Sequence, residues 1–276
     1  MDVSLIAVPY MLGDPKHPAA EGPRWYLEGG AEGRLTARGH RVTVERVERD
    51  EVGPIAVSKA LAPVVRRSVA AGRRPLVLAG SCDASLGVLA GFDHASCGVV
   101  WIDAHADFNT PESSVSGFFP GMSAAIITGH CHAELWSQAG NSIPIPEEHI
   151  VMVGTRELSP EAERERLERS RIHVVPWRDG LPHGDVEAAL DEVARCVDEV
   201  YLHIDNDALD PAIAPGIVDH PAPGGLSLEQ LEKTVRAVTA RFRVRAATLA
   251  TYTPERDEDE RTLKAGLRVI ELLGES

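Results

Sequence analysis

Two short acidic segments contain the side chains of this chain that are best suited to chemistry. Asp103, His105 and Asp107 alternate along one segment, and Asp205 and Asp207 alternate along the other. Side chains at alternate positions of an extended chain leave the same face, so we expect each segment to present its polar groups together. Four carboxylates and one imidazole form an oxygen-rich set that suits Mn²⁺ or Mg²⁺ better than structural zinc. The spacing therefore predicts a divalent-metal site.

The charge of these segments indicates more than one ion. Four carboxylates close together repel one another, so the site needs a large positive charge. Two divalent ions about 3.5–4 Å apart would supply that charge and share a water molecule of lowered pKa as the nucleophile. The alternative is that Asp103 and Asp205 only cap the turns after their strands. The second Asp-x-Asp pattern, followed by Leu209-Asp210-Pro211, favours the metal site over that alternative.

The elements that must position these segments are short apolar strands alternating with amphipathic helices. Strands are predicted at residues 3–8, 41–47, 75–80, 99–102, 150–153, 173–175, 200–204 and 245–249. Helices are predicted at residues 55–71, 160–170, 185–197, 227–241 and 258–273. Repeated strand–helix–strand units with strands that are apolar throughout predict a mostly parallel sheet covered on both faces. The alternating pattern of residues 41–47 indicates an edge strand.

The order of these elements predicts that the two acidic segments meet. Asp103 and Asp205 each follow directly on an apolar strand. Ligands of open α/β sheets bind at the carboxyl ends of the strands, so we expect both segments at one edge of the sheet. The chain shows no internal repeat and no Ser/Gly linker, and residues 1–276 are interpreted as a single domain.

Composition excludes several classes of partner. The formal net charge is −14, from 28 basic and 42 acidic residues, which argues against nucleic-acid or anionic-membrane surfaces. No apolar stretch approaches the roughly 20 residues of a membrane span, and the first ten residues lack the basic region of a signal peptide. The four cysteines form no CxxC pair. We therefore expect a cytoplasmic protein with free thiols.

Three motifs resemble the ureohydrolase superfamily of arginases, agmatinases and formiminoglutamases. Residues 101–111 (WIDAHADFNTP) resemble the family's DAHxD segment with its following N-T-P, and residues 203–211 (HIDNDALDP) resemble its DxDxxDP segment. Residues 78–82 (LAGSC) stand where the family has GGDH. The resemblance implies a three-layer α/β fold with a mostly parallel sheet. It also implies one or two Mn²⁺ ions per chain, a homo-oligomer, and hydrolysis of a C–N bond in a small guanidino or amidino substrate.

The resemblance also assigns roles to the acidic segments. Asp103 and Asp205 would bridge the two ions, and His105, Asp107 and Asp207 would complete their ligands. Asp107 is in addition expected to act as a general acid–base that takes a proton from the nucleophilic water and passes it to the leaving nitrogen.

Several positions depart from the family pattern. Cys82 stands in place of a histidine ligand, and we expect either a soft thiolate ligand or a small buried residue. Pro120 replaces a histidine thought to shuttle protons, and Phe118 replaces a polar substrate contact. Thr251 and Ser159 replace acidic groups that pair with the guanidinium and amino groups of arginine. Because an unpaired buried charge is costly, L-arginine is not the expected substrate.

Other polar residues remain available to such a site. Asn109, Ser116 and Thr251 are candidate substrate contacts. His220 is a candidate replacement for the missing proton shuttle. His203 lies two residues before Asp205 on the same strand face and is expected to support the metal ligands from behind them. For both histidines the alternative is a role in packing alone.

Three functional hypotheses follow. The first is a metal-dependent amidino- or guanidino-hydrolase with a substrate other than L-arginine. The second is a degenerate family member that binds a ligand or partner without turnover, which the residues at positions 120 and 251 favour. The third is hydrolysis of a different bond, such as deacetylation, because a fold does not determine its function.

Overall fold

The computed structural model describes residues 1–48, 53, 55–141, 143–217 and 221–275. The strands are β1 (Asp2–Val8), β2 (Arg41–Arg46), β3 (Arg74–Ala79), β4 (Cys97–Ile102), β5 (Ile150–Val153), β6 (His173–Val175), β7 (Trp177–Arg178), β8 (Leu181–Pro182), β9 (Glu199–Asp205) and β10 (Arg243–Ala250). The α-helices are α1 (Gly22–Glu28), α2 (Ala31–Ala37), α3 (Ala56–Ala70), α4 (Ala84–Leu89), α5 (Ser123–Ile127), α6 (Ala133–Ala139), α7 (Glu161–Arg169), α8 (Val186–Ala194), α9 (Leu228–Arg241) and α10 (Arg261–Glu275). All of the predicted strands and long helices are present.

Eight strands form one sheet in the order β2-β1-β3-β10-β9-β4-β5-β6, and every neighbouring pair is parallel. The mostly parallel sheet predicted from the sequence is therefore confirmed. Strand β2 lies at one edge with most of its residues exposed, as its alternating sequence indicated. Strands β7 and β8 form a separate antiparallel hairpin.

Two apolar cores cover the faces of the sheet. Successive residues of each central strand point to opposite faces, so that Leu5 packs into one core and Ile6 into the other. Helices α1, α2, α8, α9 and α10 contribute to the first core, and α3, α4, α5, α6 and α7 to the second. Helix α9 begins with a capping box in which Ser227 and Gln230 bind each other's backbone N–H groups. None of the described helices is long and apolar enough to span a membrane.

Strand register brings the acidic segments together in the middle of the sheet. Strands β4 and β9 are neighbours, with Ile102 opposite Ile204, so that Asp103 and Asp205 follow at the same level. Strand β10 pairs with the other side of β9 and ends immediately before Thr251. The carboxyl ends of three adjacent strands therefore bring Asp103, Asp205 and Thr251 to one edge of the sheet.

Candidate metal centre

The first acidic segment leaves the sheet as a bend, so the expectation of an extended segment is wrong. Strand β4 ends at Ile102, and Asp103 Oδ1 accepts the backbone N–H of His105 at 2.7 Å. Asp107 then adopts a left-handed backbone conformation with φ of 48°. An aspartate tolerates this conformation better than most residues do. The bend, and not one face of a strand, brings the side chains together.

The second segment also begins with a turn held by its first aspartate. Asp205 Oδ1 accepts the backbone N–H of Asp207 at 3.0 Å, at the start of a 3-10 helix over Asn206–Ala208. The other oxygen, Oδ2, accepts hydrogen bonds from Thr251 Oγ1 at 2.9 Å and Cys82 Sγ at 3.1 Å. Asp205 thus caps a turn and contributes to the buried polar cluster at the same time.

Two groups of potential metal ligands meet at Asp103. The first group consists of Cys82, Asp103, His203 and Asp205, and the second of Asp103, His105 and Asp207. Within each group, one ligand atom from every residue lies within 4.8 Å of all the others. An ion bound at about 2.0–2.3 Å separates its ligands by such distances, so both groups fit a divalent cation. The shared carboxylate places the groups side by side, as a two-ion centre requires.

His105 lies between the carboxylates of both segments. Its Nδ1 is 3.1 Å from Asp207 Oδ2 and 3.4 Å from Asp103 Oδ1, and its Nε2 is 3.5 Å from Glu157 Oε2. Burial alone would lower the pKa of His105, but the charge of Asp207 and hydrogen bonds to the surrounding carboxylates raise it well above its usual value. Without a cation, this imidazole carries the compensating positive charge.

Burial and neighbouring charges shift the pKa values of the buried carboxylates. Burial, followed by the charge of Asp207, raises the pKa of Asp205 to about 7 and that of Asp103 well above its usual range. Burial also raises the pKa of Asp107. For Asp207, burial would raise the pKa, but the positive charge of His105 lowers it below the ordinary value. So many carboxylates side by side match the donor set of a divalent cation.

Asp107 lies at the cavity wall beside these groups. Its carboxylate is buried, and Oδ2 has no hydrogen-bond partner within the described part of the chain. Its backbone carbonyl accepts the N–H groups of Ala124 and Ala125 at the start of α5, which holds the residue in its unusual conformation. A buried acceptor without a partner is expensive, and a cation or a proton would satisfy it.

Cys82, in the turn after β3, and His203, in β9, both approach the cluster. The Cys82 thiol is buried, and burial followed by the charge of Asp205 raises its pKa well above the usual value. His203 has no exposed surface, and burial lowers its pKa to about 3, which keeps the ring neutral. Its Nε2 lies 4.0 Å from Asp103 Oδ2 and has no hydrogen-bond partner among the described atoms.

A cavity of about 750 Å³ opens above the cluster. Of the predicted substrate contacts, Asn109, Ser116 and Thr251 all line this cavity. Asn109 Nδ2 donates to the carbonyl of Ser159 at 3.0 Å, and the exposed Ser116 accepts the N–H of Phe118 through its hydroxyl. The candidate shuttle, His220, lies outside the described residues.

Two glutamates at the site were not identified from the sequence as functional. Glu157 lines the cavity beside His105, and its side chain is 40% exposed. Glu163 is buried, and its carboxylate accepts the backbone N–H groups of Phe108 at 2.9 Å and Ser159 at 3.1 Å. Glu157 lies shortly after the end of strand β5, which is only a weak indication of a functional residue. Glu163 lies in the charge-rich helix α7, where a glutamate normally faces solvent.

Arg156 holds the second acidic segment through its backbone. Its guanidinium donates to the carbonyl oxygens of Asp207 at 2.7 Å, Ala208 at 3.2 Å and Ala222 at 2.9 Å. A planar guanidinium with five donors suits such a set of convergent acceptors. Hydrogen bonds from Arg156 therefore hold the loop that carries Asp207 in position.

Comparison with known proteins gives one consistent result. A family model described as the arginase family matches residues 1–274. Arginase from Bacillus subtilis is 30% identical over 289 residues, which cover 98% of this chain and 97% of the relative. N(omega)-hydroxy-L-arginine amidinohydrolase from Streptomyces lavendulae is 28% identical over 235 residues, or 80% of this chain and 81% of that protein. The crystal structure of the Bacillus subtilis arginase superposes with a TM-score of 0.90 at 28% identity, over 100% of this chain and 99% of the other. The predicted three-layer fold is confirmed.

Proposed function

Because the chain belongs to the arginase family, we propose that it is a metal-dependent hydrolase of a C–N bond in a guanidino or amidino group. The observation that carries the proposal is the pair of ligand groups that share Asp103 at the base of the cavity. Relatives named as an arginase and an amidinohydrolase support the same class of reaction.

The proposed centre holds one or two Mn²⁺ ions. By the family resemblance, Asp103 and Asp205 would be shared between the ions, and Cys82, His105, Asp107 and Asp207 would complete the ligand set. Carboxylate oxygens and imidazole nitrogen suit this metal, whereas the thiol is the softest member of the set. When bound, the ions supply a water of lowered pKa and neutralise charge that develops on the substrate.

Asp107 is the proposed general acid–base. Its buried Oδ2 has no hydrogen-bond partner among the described residues, and the residue lines the cavity that the substrate would enter. Burial raises the pKa of this carboxyl group, so that it takes up a proton readily. A proton held at Oδ2 is then available to the leaving nitrogen of the substrate.

The upper part of the cavity determines the substrate. Glu157 provides a carboxylate at the rim of the cavity, beside His105, that pairs with a cationic guanidino or amidino group. Phe118 and Ser159 line the same cavity without an acidic group for the amino end of arginine. The hydroxyl of Thr251 is held by Asp205. These features support a substrate other than L-arginine, with Asn109 and Ser116 as polar contacts.

The test is an activity screen of the purified protein against guanidino and amidino compounds, measured as release of urea or amine. Hydrolysis should require Mn²⁺ or another divalent cation and should stop after chelation. Undiminished hydrolysis after exhaustive chelation would refute the metal-dependent mechanism. Tight binding of a guanidino compound without turnover would instead support the degenerate alternative.

A further inference from the structure

We propose that His203 is itself a metal ligand. Together with Cys82, Asp103 and Asp205 it forms a site for a borderline cation such as Zn²⁺, Co²⁺ or Fe²⁺, beside the harder site at His105 and Asp207. This inference deepens the proposed function and rests on it only in taking the centre to hold metal. It goes beyond the support role expected for His203 from the sequence.

The position of His203 Nε2 is the first observation. The ring has no exposed surface, and Nε2 has no hydrogen-bond partner in the described part of the chain. This nitrogen, Cys82 Sγ and one oxygen each of Asp103 and Asp205 all lie within 4.8 Å of one another. An unpaired buried nitrogen beside a thiol and two carboxylates is costly, and a shared cation would satisfy all four groups.

The second observation is the way that neighbouring residues orient the ring. His203 stacks on Trp101 with a centroid distance of 3.7 Å, and the Trp101 indole N–H donates to Asp103 Oδ2 at 3.1 Å. The Tyr201 hydroxyl donates to Thr248 at 2.8 Å, so its oxygen is left to accept Nδ1–H of His203 at 3.4 Å. A proton on Nδ1 leaves the lone pair of Nε2 directed at the cluster, as in metal-binding histidines.

The donor types determine which cation this group prefers. A thiolate and an imidazole with two carboxylates are softer than the carboxylate-rich group around His105. The resemblance to the ureohydrolases places Cys82 where that family has a histidine. His203 returns an imidazole to the same group from the adjacent part of the sheet. The chain therefore offers two neighbouring sites of unequal softness.

The experiment loads the metal-free full-length protein with Co²⁺ and counts coordinated imidazoles by proton NMR. Each coordinated histidine gives a strongly shifted, exchangeable ring N–H signal, whereas a histidine behind the ligands does not. We expect one such signal from His105 and a second from His203, identified by its contacts with Tyr201. Thiolate-to-Co²⁺ absorption in the near ultraviolet marks the ion bound by Cys82.

Variants assign these signals. His203→Gln should remove the second N–H signal and weaken Co²⁺ binding at the Cys82 group by at least about tenfold. Cys82→Ser should remove the absorption band but keep the His203 signal. His105→Asn should remove the first N–H signal and retain both the absorption band and the His203 signal. His183→Gln, at an exposed position that does not line the cavity, is the matched control and should change neither spectrum.

The outcomes separate this inference from the proposed function. A wild-type spectrum in which only His105 is coordinated, or a protein that binds no Co²⁺, overturns the inference even if His203→Gln fails to fold. If Mn²⁺-dependent hydrolysis persists in that case, the proposed function stands alone. Coordination of Co²⁺ by His203 in a protein that hydrolyses no guanidino or amidino compound supports the inference and overturns the proposed function.

Discussion

The base and the rim of the cavity are built in different ways. The base consists of Cys82, Asp103, His105, Asp107, His203, Asp205 and Asp207, and the rim of Asn109, Ser116, Phe118, Glu157 and Ser159. At the base, Asp103 and Asp205 are 1% and 2% exposed, and both accept backbone N–H groups. At the rim, Phe118 is 41% exposed.

Because of this difference, we expect substitutions at the base to affect the reaction and substitutions at the rim to affect the choice of substrate. Carboxylates at the base are fixed by the ends of β4 and β9, so a substitution there disturbs ligands and backbone turns together. Rim side chains project from loops and line the cavity above the base, so a substitution there changes what fits above the base. Under the proposed function, we therefore expect the base to determine the type of reaction and the rim to determine which molecule reacts.

Removing a ligand at the base should have the largest effect. Asp205→Ala removes a carboxylate proposed to lie between the two ions, and we expect kcat/KM to fall by at least about three orders of magnitude. Urea or amine release and metal content measure the effect. Asp210→Asn is the control in the same loop, since Asp210 does not line the cavity. Substantial metal-dependent activity in Asp205→Ala would show that the base does not carry the chemistry.

Substitutions of Thr251 test whether this residue supports the metal ligands at the base or contacts the substrate. Its hydroxyl donates to Asp205 Oδ2, so Thr251→Val should weaken metal binding by about 10–100-fold. Thr251→Ser should restore the affinity, because it keeps the donor. Metal titrations measure the affinity for the ion, and steady-state kinetics measure the KM of a substrate. Together they distinguish a role in metal binding from a role in substrate binding. An increase in KM with unchanged metal affinity would place Thr251 among the substrate contacts instead.

Without metal, the base should make stability depend on pH. Burial raises the pKa of Asp205 to about 7 and raises those of Asp103 and Asp107 well above their usual range, and the charge of Asp207 raises the pKa of His105 well above its usual value despite burial. Each group binds more protons in the folded state, so its contribution is lost as pH rises through its folded pKa. His203, with a pKa lowered to about 3, acts in the opposite direction, but only below pH 6.5.

We therefore expect the metal-free protein to lose unfolding free energy between pH 6.5 and about 8. A saturating divalent cation should reverse the loss, because it replaces protons as the counter-charge. Denaturant titrations at several pH values, with and without Mn²⁺, measure this dependence. A metal-free protein whose stability is flat or rises over that interval would contradict the prediction.

A rim substitution should have the smallest effect on the reaction itself. Phe118→Ala should change kcat/KM between competing substrates by about tenfold or less and leave metal content unchanged. Unfolding free energy should shift by no more than about 0.5 kcal/mol, since the ring is partly exposed. Leu181→Ala, which is also exposed but does not line the cavity, is the matched control. Loss of bound metal in Phe118→Ala would show that base and rim are not independent.

Long elements and the base were predictable from the sequence because their signals are local. Apolar runs identified seven strands of the main sheet and an alternating pattern identified β2, and the aspartates at the ends of β4 and β9 indicated where ligands meet. Helices α1, α2, α4 and α6 were missed because each has seven residues or fewer, too short for a clear periodicity. Glu163 could not be identified either, because the backbone N–H of Phe108 that ties it to the acidic segment lies 55 residues away in the sequence.

The bond network of Arg156 has a consequence for how the protein matures. Its guanidinium ties the backbone at Asp207 and Ala208 to that at Ala222 through protein atoms alone. We therefore expect the loop that carries Asp207 to keep its position without a bound ion, so that folding of this loop precedes metal binding. The ion that occupies the centre would then depend on the donor set and on the cations available to the folded protein, rather than on the folding process.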